Sequence, residues 1–347
     1  MPPQDKLELA DVARLAGVSP ATASRALSNA YGVSPATRAR VLEVAERVNY
    51  VVSPEASGLA RGTRQRVALV VPHIERWFFG AMVSGLGSVL RAAGFDVLLY
   101  HVGDSEDRSR FFEQLPARRK VDAVVVVAFP VADEERARLE LMGVTVVAAG
   151  GQNAAYPFVC IDDHAAARQA VDHLLQLRHT RIGMIGARDP AWPNWPVRPG
   201  RIQAYYDCLE AAGIEVDPAL ISTVDWGPEH GAEGMARLLS LREPPTAVYA
   251  HSDEIAFGAM SVLRRAGLRV PQDMSIVAID DHPLSAFLDL TTVAQPVPEQ
   301  GKLTAQMLLA LLRGEETDQA MHVPTKLVVR GSTTRLRSAE ENTGANM

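Results

Sequence analysis

Apolar residues in the first fifty positions recur at the three- and four-residue spacing of helices. The pattern predicts three short helices, over about 9–16, 20–28 and 35–48. The second and third helices each follow a copy of the hexapeptide GVSPAT, which begins at Gly17 and again at Gly32. In each copy the serine, Ser19 or Ser34, is a favoured N-cap, and the proline after it suits the first helical position. The repeat is therefore one helix-start signal used twice.

The connection between the first two helices is only Gly17-Val18-Ser19, which is typical of a helix-turn-helix. The second helix, PATASRALS, would then lie in the major groove of DNA, where Arg25 is long enough to reach guanine edges. Three short polar side chains on this helix suit phosphate oxygens: Thr22, Ser24 and Ser28. Spacing alone leaves an ordinary small helical bundle open as the alternative.

From Arg66 onward, β-branched runs alternate with helical stretches. The first series has four such runs, of which RVALVVPHI is the first. A second series begins with RIGMIGA and continues with TAVYAHS and MSIVAID. Strands that alternate with helices predict parallel, doubly wound sheets covered by helices on both sides. Two such series predict two similar α/β lobes.

Length, composition and charge narrow the class of protein. The chain has 347 residues, 47 % of them hydrophobic, which suffices for two or three domains with large cores. No apolar leader or bilayer-spanning stretch is present and Cys160 and Cys208 read as free thiols, so we expect a cytoplasmic protein. Residues 1–66 carry nine Lys and Arg against six Asp and Glu, within a net charge of −6. A basic head on an acidic body favours a head that contacts phosphates.

The segment from Leu9 to Tyr50 resembles the N-terminal domain of LacI-type (LacI/GalR family) transcription regulators. It matches D-V-A-x-x-A-G-V-S-x-x-T-x-S-R and V-S-x-x-T-R-x-R-V. The resemblance implies base reading by Pro20, Ala21 and Arg25. It implies phosphate contacts by Ser19, Thr22, Ser24, Ser28, Ser34, Thr37 and Tyr50. Pro20 and Ala21 replace larger polar residues of many relatives, so Arg25 should carry more of the base specificity.

The next segment, VVSPEASGLARGTRQ, is a linker by composition and a hinge by resemblance. In this family the hinge folds into a short helix on operator DNA, and two such helices of a dimer enter the minor groove. Ala56 and Leu59 match its DNA-contacting positions, and Leu59 would wedge into the central base step. Ser57 stands where the family has arginine, which puts one phosphate-region contact in doubt.

The remainder resembles the periplasmic-binding-protein-like effector domain of the same family, as in SDEIAFGAM and SIVAIDDHPLSAFLDLTTVAQP. The predicted fold is therefore a small all-α helix-turn-helix head followed by a two-lobed α/β effector domain with parallel, doubly wound sheets. The predicted boundaries are 1–52 for the head, 53–63 for the hinge, 64–337 for the effector domain and 338–347 for a disordered tail. The N-lobe would comprise about 64–161 and 295–321, and the C-lobe about 162–294 and 322–337.

The resemblance places an effector in the cleft between the lobes, at the carboxyl ends of the strands. The residues that match its lining are Phe78, Phe79, Arg201, Trp226, Ser252, Asp253, Asp280 and Gln295. Asp280 would accept hydrogen bonds from hydroxyl groups, and Trp226 would stack on a sugar or a base. Ser252 replaces the asparagine of many sugar-responsive relatives, which leaves the effector open. The segment RDPAWPNWPVRPG, rich in proline and tryptophan, is either a lid over the cleft or a packed loop, and it favours a carbohydrate.

An enzyme is the main alternative class. The chain lacks a Walker motif, a strand-linked G-x-G-x-x-G and a nucleophile elbow, and its histidines, including His73, His101, His251 and His282, show no metal-ligand spacing. No catalytic, metal or cofactor site is expected. A sugar-binding transport component would share the body fold but not the head.

We therefore expect a ligand-controlled repressor that binds palindromic operator DNA as a homodimer, with a nucleobase-like corepressor as the alternative to a sugar. The tail shows no apolar heptads, so a tetramerising coiled coil is not expected.

Overall fold

The computed structural model describes residues 7–28, 30–50, 64–151, 156–188 and 200–336. Its contacts divide the chain into two units, one formed by the chain up to Arg66 with residues 119–122 and one formed by the rest. Three predicted features lie outside the described residues: the hinge 53–63 with Ala56 and Leu59, residues 189–199 of the proline-rich segment, and the tail.

The head consists of helices α1 (Leu9–Leu15), α2 (Pro20–Leu27) and α3 (Pro35–Arg47). The predicted N-caps are confirmed, because Thr22 N donates to Ser19 Oγ and Thr37 N donates to Ser34 Oγ, both at 3.2 Å. Gly17 has a φ of 64°, in the left-handed region that glycine enters without strain. Small side chains let the three helices pack closely around a core of Val12, Ala13, Ala16, Ala23, Ala26, Val41, Val44 and Ala45.

The N-lobe is a six-stranded sheet with the order β11-β5-β4-β3-β1-β2. Its strands are β1 (Arg66–Val71), β2 (Asp96–His101), β3 (Ala123–Val127), β4 (Thr145–Ala149), β5 (Phe158–Ile161) and β11 (Ala320–Val323). Its helices are α4 (Trp77–Ala92), α5 (Ser105–Gln114), α6 (Asp133–Glu140) and α11 (Val297–Leu312). The pairings of β1 with β3, β3 with β4, β4 with β5 and β5 with β11 are all parallel. All five residues of β3 are buried, as expected for a strand covered on both faces.

The C-lobe is a second six-stranded sheet with the order β12-β10-β9-β8-β6-β7. Its strands are β6 (Ile182–Ala187), β7 (Ile221–Val224), β8 (Ala247–Ala250), β9 (Ser275–Asp280), β10 (Thr291–Ala294) and β12 (Lys326–Val328). Its helices are α7 (Asp163–Gln176), α8 (Gly200–Ala211), α9 (Pro228–Leu239) and α10 (Asp253–Arg265). Only the β10–β12 pair is antiparallel among the pairings described for this sheet.

The chain passes between the lobes three times, after β5, after β10 and after β11. The sequence placed the third crossing at about residue 321. The structure places it two residues later, because Val323 still pairs with Ile161 in the N-lobe sheet. The three crossings bring the strand ends of both lobes together around one cleft.

Helices α4 and α11 approach each other closely in the N-lobe. A Cβ added to Gly85 would lie 2.1 Å from the carbonyl oxygen of Pro298, and one added to Gly301 would lie 2.5 Å from that of Met82. Both glycines are therefore required for this packing, which fixes the start of α11 and the crossover before it. None of the helices in the described ranges is long and apolar enough to cross a membrane.

Candidate functional site: an inter-lobe cavity and an exposed helix-turn-helix face

The two lobes enclose a cavity of about 120 Å³ where the strands of both sheets end. Six of the eight predicted residues line it: Phe78, Phe79, Arg201, Trp226, Asp280 and Gln295. Phe78 and Phe79 lie in the first turn of α4, and Arg201 lies at the start of α8. Asp280 ends β9, and Gln295 lies on the second crossing between the lobes. This is the place where parallel α/β sheets bind ligands.

Arg201 is the central cation of the cavity. Its Nε donates to Asp163 Oδ1 at 2.7 Å, and its Nη1 donates to the carbonyl oxygen of His251 at 2.5 Å. Burial by itself would lower the pKa of Arg201, but the neighbouring carboxylates of Asp163 and Asp280 outweigh it and raise the pKa. The guanidinium is thus permanently charged, and it has five N–H donors, so some remain for a ligand.

Asp280 is a buried carboxylate on the same wall. Its Oδ1 accepts from Gln295 Nε2 at 2.5 Å, and Gln295 Oε1 accepts in turn from Gln300 Nε2 at 3.2 Å. Burial raises the pKa of Asp280, Arg201 opposes this, and the charge of Asp253 adds to it. The backbone of Asp280 has a φ of 142°, a conformation that is strained for any residue other than glycine. Such strain is typical of residues held in place for a function.

The opposite wall of the cavity is aromatic. The rings of Phe78 and Phe79 meet edge to face with centroids 5.2 Å apart, and Phe129 joins them. A Cβ on Gly150 would lie 2.7 Å from Phe78 Cζ, so a side chain there would displace the ring. The cavity therefore combines flat apolar faces with a wall of buried hydrogen-bonding groups.

Arg76 and Glu254 close one side of the cleft. Arg76 Nε donates to Glu254 Oε2 at 3.0 Å and so joins the N-lobe to the C-lobe. The Arg76 guanidinium also lies over the ring of Trp226, 4.6 Å from its centroid. Glu254 Oε1 accepts a further hydrogen bond from the backbone N of Trp77 at 3.4 Å.

Ser252 and Asp253 do not line the cavity. Ser252 caps α10, where its Oγ accepts from Ile255 N at 3.3 Å. The buried carboxylate of Asp253 accepts from Ser285 Oγ, Thr292 Oγ1 and His282 N at 2.5, 2.6 and 2.8 Å. Burial raises the pKa of Asp253, whereas the three hydrogen bonds favour the carboxylate and so lower the pKa. The pair therefore supports the segment after β9 from behind instead of facing a ligand.

The predicted DNA-contacting residues of the head that the structure describes are all at least partly exposed. Ser19, Pro20, Ala21, Arg25 and Ser34 are exposed. Thr22, Ser24, Ser28, Thr37 and Tyr50 are partly exposed. At the start of each of α2 and α3, two hydroxyls form a pair, Ser19 Oγ with Thr22 Oγ1 and Ser34 Oγ with Thr37 Oγ1, at 2.9 Å. Hydroxyls at helix N-termini are suited to phosphate oxygens.

Comparison with known proteins finds a family match for the head and another for the effector domain. Residues 8–53 match the family described as bacterial regulatory proteins, lacI family, and residues 171–333 match the periplasmic binding protein-like domain. The HTH-type transcriptional repressor CytR of Escherichia coli (strain K12) is 35 % identical over 333 residues, which cover 94 % of this chain and 96 % of CytR. The chain belongs to the lacI family of bacterial regulatory proteins.

Solved structures of transcription regulators show the same architecture. The complex of the transcriptional regulator CelR with cellobiose superposes with a TM-score of 0.70 at 30 % identity, covering 94 % of this chain and 99 % of that one. The lac repressor dimer bound to operator and the anti-inducer ONPF superposes with a TM-score of 0.81 at 25 % identity, covering 95 % and 100 %. As a lacI-family member, the chain is a DNA-binding transcription regulator, which decides against the enzyme and transport hypotheses and confirms the predicted fold class.

Sequence reasoning missed several residues of the cavity in this lacI-family chain: His73, Arg76, Phe129, Asp163 and His251. Asp163 opens α7 directly after the first crossing, and His251 follows β8 immediately. Their positions at a helix start and a strand end were the available signal, because these ends converge on the cleft. No group of three or more potential metal ligands occurs in the part of the chain that the structure describes.

Proposed function

We propose that the chain is a repressor that binds palindromic operator DNA as a homodimer and is controlled by a small carbohydrate in the inter-lobe cavity. The observation that carries the proposal is the cavity itself, in which aromatic rings face buried hydrogen-bonding groups. Acting on operator DNA, such a protein would work in the cytoplasm.

The chemistry of the cavity favours a sugar. The flat faces of Phe78, Phe129 and Trp226 suit the C–H faces of a sugar ring. Arg201 and Asp280 offer a fixed donor and a fixed acceptor for hydroxyl groups, each held by other side chains. CelR, whose complex with cellobiose has the same fold, is a related regulator that binds a sugar.

The head favours operator binding by a dimer. Its exposed surface presents Arg25 for base edges and two helix starts for phosphates. The lac repressor, which aligns along nearly the whole of this chain, is a dimer on its operator. A symmetric dimer reads two half-sites of a palindrome.

Control by the effector would act through the lobes. Effector binding would change the angle between the N-lobe and the C-lobe, and so the separation of the two hinge segments in the dimer, where Ala56 and Leu59 would contact the minor groove. A coupling free energy of about 1–3 kcal/mol would change operator affinity about 5- to 150-fold.

A fluorescence-anisotropy titration tests the proposal. The full-length protein is titrated onto labelled DNA from upstream of its own gene and onto arbitrary duplex, with and without ribose, galactose, cellobiose and uridine. We expect tight binding to the upstream DNA, in a dimer-to-site ratio, that one of the sugars changes. Equal binding to both DNAs under every condition would overturn the proposed function.

A further inference from the structure

His251 lies at the carboxyl end of β8 and lines the cavity, although only 1 % of its surface is exposed. Its Nδ1 accepts a hydrogen bond from the backbone N of Ala187 at 3.0 Å. A neutral imidazole carries its single proton on the nitrogen that does not accept, so here the proton is on Nε2. The backbone of β6 thus selects the tautomer of His251.

Nε2 of His251 is a buried donor that has no hydrogen-bond partner among the described residues. An unpaired buried donor costs about 1–3 kcal/mol, and native proteins contain few of them. The neighbouring strand lets the ring approach at Gly186, where an added Cβ would lie 3.3 Å from Cε1 and 3.4 Å from Nε2. A donor kept unpaired on the wall of a ligand cavity is a group that a ligand can satisfy.

The ring is both fixed and uncharged. The ring centroid lies 5.6 Å from that of Tyr249. The carbonyl oxygen of His251 accepts a hydrogen bond from Arg201. Burial, with the positive charge of Arg201, lowers the pKa of His251 to about 3. The side chain therefore remains a neutral donor throughout the physiological pH range.

The arginines of the cavity already have carboxylate partners. Both arginines that line it form ion pairs, Arg201 with Asp163 at 2.7 Å and Arg76 with Glu254 at 3.0 Å. Phosphate and carboxylate ligands are usually bound by cations that are available to them. A cavity whose arginines are already paired favours a ligand without a charge.

We propose that His251 is a specificity-determining residue that donates a hydrogen bond from Nε2 to an acceptor atom of an uncharged effector, such as a hydroxyl, ring or carbonyl oxygen. The inference rests on the proposed function of the cavity as the effector site. It assigns the effector's acceptor atom to the end of β8, beside the guanidinium of Arg201.

Three variants isolate the donor. His251→Asn can still accept from Ala187 N but has no donor at the position of Nε2, whereas His251→Gln offers an amide donor there. Tyr249→Phe is the matched control, because the Tyr249 hydroxyl is also buried and without a partner in the described chain but does not line the cavity.

Binding is measured by thermal shift and calorimetry on the full-length protein. The probes are ribose, galactose, cellobiose and uridine, each beside its phosphate ester. We expect an uncharged probe to bind and its ester to bind more weakly. His251→Asn should weaken binding of that probe about tenfold, His251→Gln should recover part of the loss, and Tyr249→Phe should bind as the wild type does. Unchanged affinity of His251→Asn, or tighter binding of an ester, would overturn the proposal.

Two ligand-free measurements decide the proposal if no probe binds. Nitrogen-15 spectra of histidine-labelled wild type and His251→Asn should differ by one ring, which is protonated at Nε2 and uncharged from about pH 5 to pH 8. His251→Asn should lower the Tm by no more than about 4 °C, since Ala187 N keeps its acceptor. A different tautomer, or a fall in Tm of more than about 4 °C, would show a structural role and overturn the proposal. All variants are also tested for operator binding without an effector. If they bind the operator, a failure of the His251 proposal can be told apart from a failure of the proposed function.

Discussion

At the scale of single residues, the polar groups of the cavity are positioned before an effector arrives. Arg201 is held by Asp163 and by a backbone carbonyl, and Asp280 is held by Gln295. Each contact fixes a long side chain whose ordering would otherwise oppose binding. The cost of building this arrangement is visible in the strained backbone of Asp280.

Arg25 is the residue on which operator specificity should depend. Its side chain is exposed, and its Nε donates to the carbonyl oxygen of Ala21 at 3.3 Å, a weak bond that DNA can replace. We expect Arg25→Ala to weaken operator binding by about 1–3 kcal/mol and to relax base preference at one position of each half-site. Anisotropy titrations on operators substituted at each position measure both effects. Equal loss on arbitrary duplex would contradict base reading by Arg25.

At the scale of elements, the start of α10 supports the end of β9. Asp253 accepts hydrogen bonds from the segment after β9 and from β10. Asp280 ends β9 and Gln295 follows β10, so these bonds help to hold both residues at the cavity. The start of α10 is therefore a brace for the site, in the sense that it supports the residues around the cavity. A substitution there should first lower the free energy of unfolding.

Asp253→Asn tests this brace. The amide replaces one acceptor oxygen with a donor that faces other donors, so we expect a loss of about 1–3 kcal/mol in unfolding free energy and a Tm lower by several degrees. Urea denaturation followed by circular dichroism measures the loss. Asp133→Asn, which changes a carboxylate that is 98 % exposed, should leave stability unchanged. Equal stability of the two variants would show that Asp253 is not a brace.

His179 connects two further elements of the C-lobe and should make its stability depend on pH. Its Nε2 donates to the carbonyl oxygen of Thr334, and its Nδ1 contacts Thr246 Oγ1, both at 2.9 Å. Burial lowers the pKa of His179 below its ordinary value of 6.5. Below that value the unfolded chain therefore binds a proton that the folded protein does not, and the unfolding free energy falls as pH decreases.

Relative to His179→Gln, which can still donate to Thr334, the urea midpoint of the wild type should fall as pH is lowered from about 7.5 towards 5.5. Burial also lowers the pKa of His173 and His251 and raises the pKa of Asp253 and Asp280. These four groups titrate in both proteins, so the difference between the two midpoints isolates His179. The same pH dependence in wild type and variant would contradict the assignment to His179.

At the scale of the whole effector domain, the Arg76–Glu254 pair holds the lobes together across the cleft. Both side chains are mostly buried, at 14 % and 16 % exposure, so this pair is screened less than a surface ion pair. The lobes can open only if this pair separates or moves with them.

Glu254→Gln should therefore favour the open form of the domain. We expect a severalfold weaker affinity for the effector and a larger radius of gyration in small-angle scattering, since closure loses an ion pair. Glu299→Gln is the control, because its pair with Lys302 is about half exposed and contributes little. Wild-type affinity and dimensions in Glu254→Gln would show that the pair does not hold the cleft.

The sequence predicted the features that repeat a strong local signal. The two GVSPAT segments gave both N-caps of the head, and the β-branched runs gave the parallel sheets of both lobes. Strands β11 and β12 are only four and three residues long, and Val323 is their only buried residue, so no periodicity marked them. The sequence therefore located the third crossing only approximately, at about residue 321, whereas the N-lobe sheet continues to Val323.

The lining of the cavity was predicted in part, for a physical reason. Phe78, Arg201 and Asp280 were predicted by resemblance to the family's effector domain, and they lie at helix starts and at a strand end. Asp253 lies next to such an end, but hydrogen bonds from distant residues turn it into the core. His251 lies at such an end too, and only the contact with Ala187 shows which of its nitrogens is free to donate. Pairings across distant parts of the chain decide these roles, and spacing does not contain them.

The order of strands within the two sheets has a consequence for synthesis. β11 completes one edge of the N-lobe and β12 one edge of the C-lobe, and both come after every other strand that the structure describes. A ribosome that has released nearly all of the domain has therefore finished neither half. We expect nascent chains arrested before residue 320 to be cut by protease in both halves, and chains extended past residue 336 to become resistant in both at once.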